Sequence, residues 1–149
     1  MASKRKMILD AVAVALEGIT NTAGFTNDVQ AVYRGLRFLE DLSPDKLPCL
    51  CLAGVKETRK NIGRPNFQAD VRLTLIGYVS KSSNEDNLQE VLDSFIEDTT
   101  KALETDPTFG NTALWSEIQT IETDRGDVDK NGAFAMEISF NYASAGTQP

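Results

Sequence analysis

Two segments of the chain repeat their apolar residues with the 3.6-residue period of an amphipathic helix. The first covers residues 7–19, and its end is predicted within residues 21–24, because the Asn and Gly there tolerate left-handed backbone. The second covers residues 88–105, where Glu90 completes a capping-box pattern with the Asn three residues before it. An Asp-Pro pair directly after this segment disfavours any continuation, so both ends of the second helix are predicted.

Five further segments have the pattern of β-strands. Apolar and polar residues alternate over residues 67–75 and 134–142, which places the large side chains of each segment on one face of a sheet. Residues 48–55 form an apolar run bracketed by Pro and Gly, which is typical of a short buried strand. Weaker patterns over residues 29–36 and 114–121 predict two more strands.

The order of these elements is α-β-β-β-α-β-β, with hairpin-length connections and no regular βαβ alternation. This order predicts an α+β fold: a mostly antiparallel or mixed sheet of about five strands, with two helices packed on one face. A length of 149 residues fits a single domain over 1–149, with a short flexible C-terminal tail over 144–149.

Composition removes several kinds of chemistry. The chain has no His, so it lacks every Ser-His, Cys-His and His-metal arrangement, and no nucleotide-binding or nucleophile-elbow motif is present. The carboxylates of the second predicted helix share one face, and we interpret them as a solvent-exposed surface and not as a catalytic acid and base. A formal net charge of −7 argues against direct nucleic-acid readout. We therefore expect neither an enzyme nor a cofactor-binding protein, and the short apolar runs predict no signal peptide or membrane span.

Cys49 and Cys51 are two residues apart, so in a strand both side chains lie on the same side. Zinc would need further Cys or His ligands that the chain lacks, and a disulfide between such near neighbours fits strand geometry badly. We expect two buried, reduced thiols in a cytoplasmic setting.

One segment imitates half of a calcium-binding loop. Asp127, Asp129 and Asn131, followed by Gly132, match the first oxygen ligands of the D-x-[DN]-x-[DN]-G pattern. The acid required six residues after the glycine is replaced by Ile138. The favoured interpretation is a turn that closes the last hairpin, and a calcium-dependent binding module is the alternative.

A basic connection, residues 56–66, lies between the second and third predicted strands. Lys56, Arg59, Lys60 and Arg64 place four of the 15 positive charges within nine residues of an acidic chain. Two interpretations stay open: a solubilising hairpin tip, or a contact surface through which copies associate head to tail into a closed ring. Tyr33 and Arg34, in the first predicted strand, mark a candidate sheet edge that a neighbouring subunit could cover.

Short strings spread over nearly the whole chain resemble the tail terminator (tail-completion) proteins of long-tailed bacteriophages and related minor tail proteins. They are Ile8 to Ala13 in the first helix, Phe25 to Val29, the Pro48-x-Leu50-Cys51 strand, Ala53 to Glu57, Asp98 to Asp106 and the final Phe140-Asn141-Tyr142.

The resemblance implies an α+β subunit that forms a homohexameric ring on the head-proximal end of the tail tube. Such a ring stops tube polymerisation and offers a joining surface to the head connector. The implied partners are the tube protein, a head–tail connector or neck protein and the sheath, and the implied location is the virion, after assembly in the host cytoplasm. Another neck adaptor is the closest alternative. A small histidine-free hydrolase, which would need a pocket with a strongly perturbed carboxylate, is a further class.

Overall fold

The computed structural model describes residues 4–37, 42, 44–63, 66–79, 88–105, 115–128 and 131–144. Two helices and five strands follow the predicted order α-β-β-β-α-β-β. They are α1 (Lys4–Glu17), β1 (Ala31–Tyr33), β2 (Cys49–Gly63), β3 (Asn66–Val79), α2 (Leu88–Glu104), β4 (Trp115–Val128) and β5 (Asn131–Ser144), with single 3-10 turns at Asn21–Ala23 and Pro44–Lys46. The C-terminal tail predicted at 144–149 lies outside the described residues, except for Ser144, which ends β5.

The strands form one five-stranded sheet in the order β1-β2-β3-β5-β4. β1 pairs with β2 in parallel, and every other neighbouring pair is antiparallel. The mixed, mostly antiparallel α+β prediction is therefore confirmed. Because β5 returns beside β3, the hairpin partner β4 is left at the edge opposite β1.

Most elements differ in length from their predicted bounds. α1 ends at Glu17, and Gly24, with φ of 93°, closes the following 3-10 turn instead of the helix. β4 and β5 extend past the predicted segments. β2 continues through residues 56–63, which the sequence predicts as a connection, because these residues pair with β3 over residues 66–72. Their charged side chains are mostly exposed on both faces, so no apolar alternation marks them as a strand.

One face of the sheet, here called the helix face, is covered by α1 and α2. Alternate residues of β3 and β5 point into this core, and Phe95 of α2 packs edge-on against Phe134 of β5 with ring centroids 5.7 Å apart. The buried side chains include Ile8, Val12, Leu16 and Ile19 near α1, Leu50 and Leu52 of β2, Ala69, Val71, Leu73, Leu75 and Val79 of β3, Leu92, Phe95 and Leu103 of α2, and Phe134, Met136, Ile138, Phe140 and Tyr142 of β5.

The opposite side of the sheet, here called the back face, has a small second cluster. Cys49 and Cys51 are fully buried beside Tyr78, and both are free thiols, as their spacing predicts. The hydrogen bond with Cys51, together with burial, raises the pKa of the Cys49 thiol, which favours its protonated form. Within the described residues, neither helix has the length and apolarity required to cross a membrane.

Candidate assembly interface

The two edges of the sheet differ in how much of their backbone is paired. β1 covers only residues Cys49 to Cys51 of β2. From residue 54 to residue 63, no described strand lies on the outer side of β2, and none lies on the outer side of β4 along its whole length. Unpaired edge strands present rows of backbone donors and acceptors that favour the addition of another strand.

The exposed half of β2 carries three of the predicted contact residues, but it does not bring them onto one surface. Lys56 and Lys60 stand opposite Arg72 and Gln68 of β3 and point to the back face, whereas Arg59 lies on the helix face. All three side chains are exposed. Arg64, the fourth predicted residue, lies outside the described residues.

Arg59 is bound within its own hairpin. Its Nε donates to Glu57 Oε2 at 2.6 Å, and its guanidinium lies over the Phe67 ring, 4.2 Å from the centroid. The hydrogen bond to Glu57 raises the pKa of Arg59. Arg59 therefore stabilises the β2–β3 hairpin through contacts within its own chain.

Glu57 is the central acceptor of this cluster, and its side chain is only 8% exposed. The Tyr142 hydroxyl of β5 donates to its other carboxylate oxygen at 2.5 Å, and Arg5 of α1 lies 3.8 Å away. Burial alone would raise the pKa of Glu57, but the hydrogen bonds from Tyr142 and Arg59 and the charges of Arg59 and Arg5 lower it. Glu57 thus stays ionised and joins α1, β2 and β5.

The sequence analysis missed this cluster. Tyr142 has the correct alternation for a buried strand residue, but no local pattern indicates that its hydroxyl meets Glu57, 85 positions away. Burial and the hydrogen bond to Glu57 raise the pKa of Tyr142 to about 12. A carboxylate with a lowered pKa, fixed by three neighbours, suits a structural acceptor and does not match the raised pKa of a general acid.

Tyr33 and Arg34 lie at the end of β1, which forms one edge of the sheet. Arg34 donates to Asp10 of α1 at 2.8 Å, and Lys6 binds the other oxygen of the same carboxylate. These hydrogen bonds lower the pKa of Asp10. The guanidinium of Arg37 lies over the Tyr33 ring, 5.0 Å from the ring centroid. Arg34 therefore ties the sheet edge to α1.

The opposite edge contains an acidic feature that the sequence analysis did not single out. Glu117 and Glu122 of β4 are exposed, while Ile118 between them packs against the core. The two glutamates lie at an edge of the sheet because β5 pairs with β3, which leaves β4 as the outermost strand on that side.

The calcium-like segment joins two strands instead of two helices. Asp127 belongs to β4, Asn131 begins β5, and Asp129 lies outside the described residues. The hairpin interpretation of this segment is confirmed by the pairing of Val128 with Asn131. Across the described ranges, no group of three or more Cys, Asp or Glu residues could hold a metal ion.

Comparison with known proteins does not place the chain in a family. No protein-family model matches it, and no curated protein matches it. The geometry of the sheet edges therefore carries the functional argument.

Proposed function

We propose that this protein is a structural tail terminator, whose copies form a ring that caps the head-proximal end of a phage tail tube. The observation that carries the proposal is a single sheet in which, among the described residues, a long stretch of backbone is unpaired at each edge. The exposed charges described on β2 at one edge are mostly basic, and those described on β4 at the other edge are acidic. Two different edges of one chain form a heterologous interface, and repetition of such an interface produces a closed ring when the rotation permits.

The arrangement supports assembly more than catalysis. The buried carboxylate Glu57 is held by Tyr142 and Arg59, and the back face pairs its central charges, with Arg72 3.5 Å from Glu137. These groups stabilise the fold and leave the edges for contact. The resemblance of the sequence strings to tail terminators supplies the expected ring of six and the tube as the surface that it caps.

The end of the β2–β3 hairpin is the proposed contact with the tube. It extends beyond the short β1, and its last described residues are exposed, including Ile62, which is 53% exposed. The basic residue chosen for substitution is Arg64, which follows Gly63 in the sequence, because Arg59 already binds Glu57 and its reversal would place a second carboxylate against Glu57.

Capping is tested with the tube protein encoded by the same genome, polymerised with and without this chain. We expect tubes of limited length, each carrying at one end a ring of six subunits that is visible by negative-stain electron microscopy. Arg64→Glu is expected to reduce the number of capped ends, whereas Lys46→Glu, an exposed charge reversal at the other end of β2, is the control. Tubes that grow equally long and uncapped with the wild-type chain would contradict the proposal. Binding to the isolated connector but not to tubes would indicate a neck adaptor.

A further inference from the structure

The exposed edge of β2 carries two lysines on the back face. Lys56 stands opposite Arg72 and Lys60 opposite Gln68, and both partners lie on the side of β3 that points away from the buried residues Val71 and Ala69. Their partners on β3 are four residues apart, so the two lysines are also four positions apart along the edge. Within the described residues, no ion pair holds either ammonium group.

The exposed edge of β4 carries two glutamates on the same face. Glu117 stands opposite Ser139 of β5, which in turn stands opposite Arg72, so Glu117 and Lys56 share the back face. Glu122 stands opposite Ala135. In the part of the chain that the structure describes, neither carboxylate forms an ion pair.

The two glutamates of β4 have the same spacing as the two lysines of β2 only because β4 contains a bulge. Glu117 and Glu122 are five residues apart in the sequence, which would place them on opposite faces of a regular strand. The register shift between Ile118 and Thr120 inserts one extra residue, so the two glutamates occupy positions four apart along β5. The lysines of β2 are also four positions apart.

The strand directions agree as well. β3 is antiparallel to β2, β5 is antiparallel to β3, and β4 is antiparallel to β5, so β4 runs opposite to β2. A second copy, placed beside the first with its helices on the same side, brings β4 of one copy antiparallel to β2 of the next. In this arrangement Lys60 meets Glu117 when Lys56 meets Glu122.

The same register brings together apolar side chains on the helix face. Val55 of β2 is 44% exposed and Ile121 of β4 is 43% exposed. With Lys56 opposite Glu122, Ile121 stands opposite Glu57, and Val55 becomes its diagonal neighbour. Diagonal neighbours on one face of an antiparallel pair lie within reach of each other.

We propose that copies of this chain join edge to edge: the outer edge of β2 of one copy, at residues 54–63, pairs antiparallel with the outer edge of β4 of the next. Lys60 pairs with Glu117 and Lys56 with Glu122 across the interface. The inference rests on the proposed ring function and names the strands that build the ring. Lysines on an edge deter pairing with basic strands, whereas here the complementary edge is acidic.

Charge reversal on each edge tests the pairing. The first variant is Lys56→Glu with Lys60→Glu, and the second is Glu117→Lys with Glu122→Lys. Each variant alone places like charges at both contact positions, so we expect loss of the multimers that the wild-type chain forms, measured by native mass spectrometry in units of 16.3 kDa. Far-UV circular dichroism verifies that each variant remains folded.

Mixing the two variants provides the decisive result. The acidic β2 edge of the first variant fits the basic β4 edge of the second, and the reverse combination also fits. We therefore expect multimers that contain both variants in equal numbers, and a single chain carrying all four substitutions should also assemble. The control, Glu90→Lys with Asp93→Lys, changes two exposed charges of α2 and is expected to leave assembly unchanged.

The outcomes separate this inference from the proposed function. Single-edge variants that assemble like the wild type, or a four-substitution chain that stays monomeric, overturn the strand pairing without affecting tube capping. A wild-type chain that is monomeric at every concentration also overturns the pairing as a property of the free protein. Edge-paired multimers that do not cap tubes support the pairing and contradict the tail terminator proposal.

Discussion

Asp98 is a charged residue in the buried part of α2, with only 5% of its surface exposed. Its carboxylate accepts hydrogen bonds from the backbone N–H groups of Thr26 and Asn27, at 3.2 and 2.8 Å, and from the Asn27 side chain at 2.8 Å. Burial of a carboxylate is unfavourable unless donors of this kind surround it. Asp98 therefore fixes the segment between α1 and β1 against α2.

Replacement of this carboxylate is expected to be costly. Asp98→Ala leaves the backbone N–H groups of Thr26 and Asn27 without their charged acceptor, so we expect the free energy of unfolding to fall by about 1–3 kcal/mol, measured by urea denaturation. The matched control is Asp93→Ala on the exposed side of the same helix, with a change within about 0.5 kcal/mol. Equal effects of the two substitutions would show that the contact with residues 26–27 contributes little.

At the scale of elements, the packing of β3, β5 and α2 depends on a glycine. Gly77 of β3 stands directly opposite Phe134 of β5, and a Cβ added at Gly77 would lie 2.2 Å from the Phe134 ring. The ring has no room to move, since it is 2% exposed and packs edge-on against Phe95. The absence of a side chain at residue 77 therefore lets the aromatic pair fill the core between the sheet and α2.

Gly77→Ala is expected to destabilise the protein by about 1–3 kcal/mol, because the methyl group overpacks a closed core. Thermal denaturation followed by circular dichroism measures the effect. Gly54→Ala is the control, since Gly54 lies in β2 and a Cβ there would meet nothing within 4 Å. A Gly77→Ala protein as stable as the control would show that Phe134 repacks without cost.

At the scale of the whole molecule, the cluster around Glu57 joins elements that are distant in the sequence. Glu57 of β2 binds Tyr142 of β5 and faces Arg5 of α1, while Lys4 of α1 donates to the carbonyl oxygen of Ala143. The start of α1 is thereby fixed against the middle of β2 and the end of β5. This junction also makes the stability of the folded chain depend on pH.

The direction of this dependence follows from the two pKa shifts. The lowered pKa of Glu57 contributes stability above its usual pKa, and that stability is lost as the pH falls through the folded value. The pKa of Tyr142, raised to about 12, contributes stability that is complete below about pH 10 and is lost as the pH rises toward 12. The contribution is therefore greatest between about pH 5 and pH 10.

Tyr142→Phe removes the hydroxyl and leaves the ring in place. We expect a loss of about 1–2 kcal/mol in the free energy of unfolding at neutral pH, and this difference from the wild type should shrink toward pH 12. Urea denaturation across the pH range gives the profile. Tyr33→Phe, which keeps the ring beneath Arg37, is the control, and its free energy of unfolding at neutral pH is expected to stay within about 0.5 kcal/mol of the wild type. A gap between wild type and Tyr142→Phe that stays constant to high pH would contradict the assigned role.

The order of the elements, the helix over residues 88–105 and the buried faces of the strands at 67–75 and 134–142 followed from the sequence alone. These features depend on local periodicity, because the spacing of apolar residues determines which side of a helix or strand faces the core. The burial of Cys49 and Cys51 followed for the same reason. Residues 56–63 were missed as part of β2, since charged residues exposed on both faces produce no apolar alternation.

Only the tertiary structure decided which strands are neighbours and which charges share a face. The position of β5 between β3 and β4 leaves β4 at an edge, and the bulge in β4 brings Glu117 and Glu122 to the same side. The contact between Glu57 and Tyr142 likewise joins residues 85 positions apart. Strand pairing and register are chosen by packing over the whole sheet, so no local pattern in the sequence contains them.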